Sequence, residues 1–82
     1  MRIIFTKYAI KKLVILKEHE FTVTRDAIQD VVENPDSFDL ELDPPKIIVK
    51  RNNTETHDLR VVYLVESDII KVVSFYPAEK DL

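Results

Sequence analysis

The chain contains no cysteine, no glycine and no tryptophan, and only one methionine. Without cysteine it can build neither a disulfide nor a thiolate zinc site. Without glycine there is no glycine-rich phosphate loop and no nucleophile elbow of the G-x-S-x-G kind. Any residue with positive φ must then be an asparagine, an aspartate or another residue under strain. Asn52-Asn53 and Ser67-Asp68 are the positions expected to take that role. Histidine is scarce too: His19 and His57 stand alone, and no H-E-x-x-H occurs. No metal site and no cofactor are therefore expected. Long apolar runs are also missing, since none approaches the ~18 residues of a membrane span. The opening MRIIFTKYAIKK has a short apolar stretch followed by lysines, unlike a signal peptide. A cytoplasmic protein without membrane contact is expected.

What is present suits one small domain over residues 1–82. Hydrophobic residues make up 45% of the chain, too many for a disordered polymer and enough for a core. The net charge of −3 argues against a dedicated nucleic-acid binder, which is usually basic. That charge is unevenly spread. Glu33, Asp36, Asp39, Glu41 and Asp43 cluster in ENPDSFDLELD without a basic residue, whereas Lys46, Lys50, Arg51 and Arg60 follow in a strand-like region. Such a distribution reads either as ordinary solvated faces or as a basic patch on a sheet.

The order of elements follows from periodicity and punctuation. RIIF at 2–5 suits a strand, and Thr6 can cap the helix after it. In KYAIKKLVILKEHE, Ala9, Ile10, Leu13, Leu16 and Lys17 recur at helical spacing, with Lys7, Lys11, Lys12 and Glu18 on the other side. His19 at the helix end reads as solvated. FTV at 21–23 is a linker, and Thr24 caps a second helix in which Ile28, Val31 and Val32 share a face. Asn34-Pro35 ends that helix, because the residue before proline avoids the α region. Residues 35–45 are expected to be a loop, since Pro44-Pro45 excludes a central strand. Three β-branched segments follow, KIIVKR at 46–51, LRVVYLV at 59–65 and IIKVVSF at 69–75. Their short loops imply an antiparallel meander. The predicted fold is α+β in the order βααβββ, a two-helix hairpin packed on one face of a mostly antiparallel sheet.

Strand alternation sets the candidate site. Leu59, Val61, Tyr63 and Val65 share one face; Arg60, Val62 and Leu64 share the other. A two-residue turn at Ser67-Asp68 puts Lys71 on the Arg60 face and Ile70 and Val72 under the helices. A longer loop centred on Ser67 puts Ser74 and Tyr76 on the Arg60 face instead. The two-residue turn is expected, because it unites the larger apolar set. The uncovered face then shows Val62 and Leu64 beside cations, so a homodimer or a second protein is expected to cover it. Arg60 reads either as one half of a cross-strand salt bridge with Asp58 or Glu66, or as a fork for phosphate oxygens. His57 reads either as a surface residue or as a general acid/base. Tyr76 reads as a packed aromatic stop or as part of a site.

RIIFTKYAIKKL, the helix ending VVENPDSF, and HDLRVVYLVESDIIKVVSFYPAEK together resemble the DUF4258 family of uncharacterised domains, grouped with the RelE/ParE toxin superfamily. The resemblance spans nearly the whole chain and is carried by F-T-x-x-A, the mid-chain N-P and the closing LRVVY…IIKVVSFYP. It implies a toxin-like βααβββ fold and the cytoplasmic half of a toxin–antitoxin pair. RelE-like members cut messenger RNA on the ribosome with basic and aromatic residues of a concave sheet, whereas ParE-like members inhibit gyrase. By this resemblance Arg60 matches the central-strand arginine of such nucleases and Tyr76 their terminal tyrosine. With His57, read above as a general acid/base, they are the candidate catalytic residues, and Lys71, Lys50, Arg51 and Lys46 are the candidate RNA-binding ones. An antitoxin is the implied partner. Two positions depart from the family pattern. Tyr8 stands where histidine is common, and Glu79-Lys80-Asp81-Leu82 stands where an arginine-rich tail is common. The competing reading is a protein-binding module, or an inactive homologue, acting through the sheet face.

Overall fold

A computed structural model describes residues 2–18, 23–40 and 46–80, the side chains of 38–40 excepted. His19, Phe21-Thr22, the acidic stretch 41–43, Pro44-Pro45 and the tail 81–82 lie outside the described residues.

The chain folds as β1 (Arg2–Phe5), α1 (Lys7–Glu18), α2 (Arg25–Glu33), β2 (Ser37–Leu40), β3 (Ile47–Asn52), β4 (His57–Glu66) and β5 (Ile69–Glu79). Both helices pack on one face of a mostly antiparallel sheet, the α+β arrangement expected. Strand order is β1-β5-β4-β3-β2. Only β1 against β5 is parallel. One strand departs from expectation. The sequence predicts a loop throughout residues 35–45, yet SFDL forms the edge strand β2 against β3. Its local sequence is poor in β-formers, and pairing comes from its surroundings. Asp36 donates its N–H to the Lys50 carbonyl at 2.9 Å, and its carboxylate accepts the Asn52 N–H at 2.8 Å.

Local chemistry explains the helix boundaries. Thr6 caps α1: its Oγ1 accepts the Ala9 N–H at 3.2 Å, while its hydroxyl reaches the Val73 carbonyl. Thr24 caps α2 by accepting the Ala27 N–H at 3.1 Å, with Asp26 in the first turn favoured by the helix dipole. Asn34 returns its N–H to the Asp30 carbonyl and Pro35 ends the run. The apolar face of α2 is fully used, with Ile28, Val31 and Val32 buried. In α1 only Ala9 is buried; Leu13 and Leu16 are half-buried, and Ile10 and Lys17 are exposed. The face assigned to α1 from spacing is thus narrower than expected.

The core lies between the helices and one sheet face. Val49, Val61 and Phe75 form one cross-strand row there, with Leu59 and Val72 buried on either side of it. Burying each of these side chains contributes about 1.5–3 kcal/mol. Ser67 and Asp68 form the expected two-residue turn, with φ of 46° and 66°, and are the positive-φ residues among those described. Asn52-Asn53, the other pair expected to take that role, does not.

A β-bulge resolves the choice between the two hairpin registers. Val62 pairs with Ser74, but Tyr63 pairs with Val72, leaving Val73 unpaired. A bulge inserts one residue and reverses the alternation beyond it. Ile70 and Val72 therefore face the helices before the bulge, and Phe75 faces them after it. On the opposite face Lys71 precedes the bulge, and Ser74 and Tyr76 follow it. Both alternatives drawn from the sequence are realised in a single strand.

Candidate functional site

The sheet face away from the helices gathers most of the predicted site. Lys50, Arg60 and Tyr76 form one continuous cross-strand row over β3, β4 and β5. The neighbouring row is Ile48, Val62 and Ser74, and the next pairs Leu64 with Lys71. Val62 is only 7% exposed and Leu64 is half-buried, so the long side chains around them already cover much of the apolar surface.

Arg60 is the centre of this face. It is half-buried, and its Nε is buried with no hydrogen-bond partner. Neither Asp58 nor Glu66 forms an ion pair with it; the two ion pairs among the described residues are Arg51–Asp30 at 2.9 Å and Lys71–Glu66 at 2.7 Å. A buried guanidinium N–H left unpaired costs free energy, and a ligand oxygen would recover it.

One residue of this site escapes the sequence reading. Lys12, read there as a solvated helix lysine, is half-buried at the rim of the face. Strand β1 pairs with β5 only over Ile69–Val72, so beyond that point no strand among the described residues pairs with the outer edge of β5. Helix α1 leaves β1 there, and Lys12 reaches around the edge. Its Nζ donates to Ser74 Oγ at 3.2 Å. It also lies 5.7 Å from the centre of the Phe75 ring and 5.8 Å from that of Tyr76, within cation–π range. Phe75 points to the core and Tyr76 to the open face, so the ammonium sits at the sheet edge between them. No spacing rule marks it, because α1 carries four lysines and only the path of the chain picks out one.

The remaining candidates separate. Lys71 is on the open face but is neutralised by Glu66. Lys46 precedes β3 and continues the alternation of Ile48 and Lys50. Arg51 faces the helix side and ties β3 to the end of α2, through Asp30 and through the Asn34 carbonyl at 3.2 Å. His57 also lies on the helix-side alternation, at the end of the sheet and opposite Glu79. Its Nδ1 is 2.8 Å from Thr56 Oγ1. It lines a cavity of about 330 Å³ with Glu55, Thr56, Glu79 and Lys80. Arg60 and Tyr76 are thus direct cross-strand neighbours, and His57 is not with them. No group of three or more His, Asp or Glu among the described residues could hold a metal ion. No helix among them is long and apolar enough to cross a membrane.

The arrangement can hold an anion. Arg60 and Lys50 form no ion pair among the described residues, Lys12 adds a third cation from the rim, and the Ser74 and Tyr76 hydroxyls supply neutral hydrogen bonds. Aromatic surface beside cations suits a phosphate joined to a flat ring better than a bare inorganic ion. No family model, no curated protein and no solved structure matches this chain.

Proposed function

We propose that the chain is a RelE/ParE-like toxin-family protein that engages RNA through the open sheet face. Arg60 and Lys50 contact phosphate oxygens, Lys12 assists from the rim, and Tyr76 lies against the nucleotide. The observation that carries this reading is the Lys50–Arg60–Tyr76 row with its unpaired Arg60 Nε. The sequence resemblance and the α+β fold support it.

Cleavage through the ribose 2′-OH needs a base at that hydroxyl, a cation at the phosphate and an acid for the leaving oxygen. Arg60 fits the cation. Tyr76 and Lys12 are the proton-carrying groups beside it, and the proposed acid–base role falls to Tyr76 rather than His57. The alternative, a non-catalytic binding module acting through the sheet face around Val62 and Leu64, has less exposed apolar surface to draw on, because Val62 is buried and Leu64 half-buried.

The test is expression in a heterologous host, scored for growth arrest and RNA cleavage, together with binding of a labelled RNA oligonucleotide across a salt series. Wild type is expected to arrest growth and to bind RNA more weakly as salt rises, because each neutralised phosphate releases counterions. Arg60→Ala is expected to remove both effects without unfolding the chain, and Arg60→Lys not to restore them fully. Wild-type protein that neither arrests growth nor binds RNA at low salt would defeat the proposal.

A further inference from the structure

The open sheet face carries two rows of cations, and the site described above uses only the first, Lys50–Arg60–Tyr76. The second lies at the far end of the face. Leu64 pairs there with Lys71. Lys46 stands one residue before Ile47, which pairs with Tyr63, so alternation sets Lys46 on the other side of Leu64. Lys71 and Tyr76 differ in parity, and the bulge at Val73 is what gives them a common face. Between the two rows run Ile48, Val62 and Ser74, none of them charged. Arg60 and Leu64 are four residues apart on β4, which separates the rows by about 13 Å. A single phosphate held by Arg60 and Lys50 therefore leaves the second row without a ligand.

That second row is also guarded. Lys71 Nζ donates to Glu66 Oε2 at 2.7 Å, and the two side chains are 36% and 60% exposed. An ion pair this exposed is weak and readily exchanged. A phosphate oxygen can take the place of Glu66 on Lys71, but the displaced carboxylate then stays beside a polyanion and repels it.

We propose that the face is bipartite: it grips single-stranded RNA that brings phosphates to both cationic rows and a nucleoside over Ile48 and Val62 between them, and Glu66 holds the grip of the second row below its full strength. This rests on the RNA reading of the face, and adds to it a minimum ligand and a residue that limits affinity. A dinucleotide, with its one internal phosphate, fills the first row alone. An acidic peptide matches the cations but offers the Tyr76 ring and the aliphatic row no flat base. A duplex keeps its base faces stacked inside and leaves the aliphatic row unused.

The experiment measures fluorescence anisotropy of labelled oligouridylates of two and eight nucleotides across a salt series. The octamer is expected to bind at least tenfold more tightly than the dinucleotide. Lys71→Ala is expected to weaken the octamer severalfold and to lower its salt slope by about 0.7, one phosphate's share for a single strand, with no change for the dinucleotide. Glu66→Gln is expected to tighten the octamer severalfold and leave the dinucleotide as it was. Lys17→Ala and Glu18→Gln make the same charge changes on α1, away from both rows, and are expected to do neither. Circular dichroism checks that each variant keeps the fold. Equal affinity for the two lengths would overturn the proposal and leave the RNA reading standing. So would Lys71 and Glu66 variants that act on both lengths alike, or no more than the α1 controls. A polyglutamate peptide that binds as tightly as the octamer would assign the face to an acidic protein instead. No binding of either RNA at low salt would remove the RNA reading and this proposal with it.

Discussion

Lys12 and Ser74, 62 positions apart in sequence, meet side chain to side chain at the outer edge of β5. A lysine leaning over an exposed strand edge blunts it against pairing with another chain. Here the same ammonium also borders the Tyr76 ring, so edge protection and the proposed site share one residue. Lys12→Ala is expected to leave secondary structure intact, to raise concentration-dependent association in light scattering, and to weaken RNA binding.

Arg51 and Arg60 sit on adjacent strands but have opposite tasks. Arg51→Ala removes an ion pair that is about half exposed and is expected to cost about 0.2–1 kcal/mol of stability. Its effect on RNA affinity should be slight. Arg60→Ala should show the reverse, with little change in melting temperature and a large loss of binding. Denaturation and binding measured on the same two variants separate the roles. Equal effects from both would contradict the assignment of faces.

The Ser67-Asp68 turn carries positive φ without glycine. Replacing it with Asn-Gly supplies the residues a type I′ hairpin prefers. A gain of about 1 kcal/mol is expected, which corresponds to a rise of about 4–8 °C in the melting temperature of a domain this small. Thermal denaturation followed by circular dichroism checks it.

Phe75 reaches the core only because Val73 is bulged out of the ladder. Deleting Val73 would remove the extra residue and leave Val72, Ser74 and Phe75 opposite Tyr63, Val62 and Val61 in unbroken alternation, with Phe75 still inward. Such a deletion is expected to leave the domain folded, as circular dichroism would check. Phe75→Ala is expected to cost about 3–5 kcal/mol, a large share of the ~5–15 kcal/mol typical of a whole domain.

Much of this architecture is legible in the sequence. Thr6, Thr24 and Asn34-Pro35 mark helix ends by chemistry that acts within a few residues. The β-branched runs mark β3, β4 and β5, and Ser67-Asp68 marks the hairpin. What escapes depends on distant partners. SFDL becomes β2 because Asp36 meets Asn52 and Lys50, not because of its own propensity. The bulge is hidden because IIKVVSFYP is apolar at both parities, so a slip of one residue leaves no trace in the pattern. Arg60 and Tyr76 can be put on one face only once that bulge is known. His57 is grouped with them because histidine is a common general acid/base, a reason that carries no information about strand parity.

The parallel pairing of β1 with β5 also sets a timetable. Thr6 bonds to Val73, 67 residues later, so β1 emerges from the ribosome long before its partner exists. At about 5–20 residues per second that interval is on the order of 3–13 s. Through it Ile3, Ile4 and Phe5 have no strand to pair with, while the helices can already form. Closure of the sheet is therefore among the last events of folding, and the rate at which β5 is delivered governs how long that apolar strand stays open to chaperones or to misassembly.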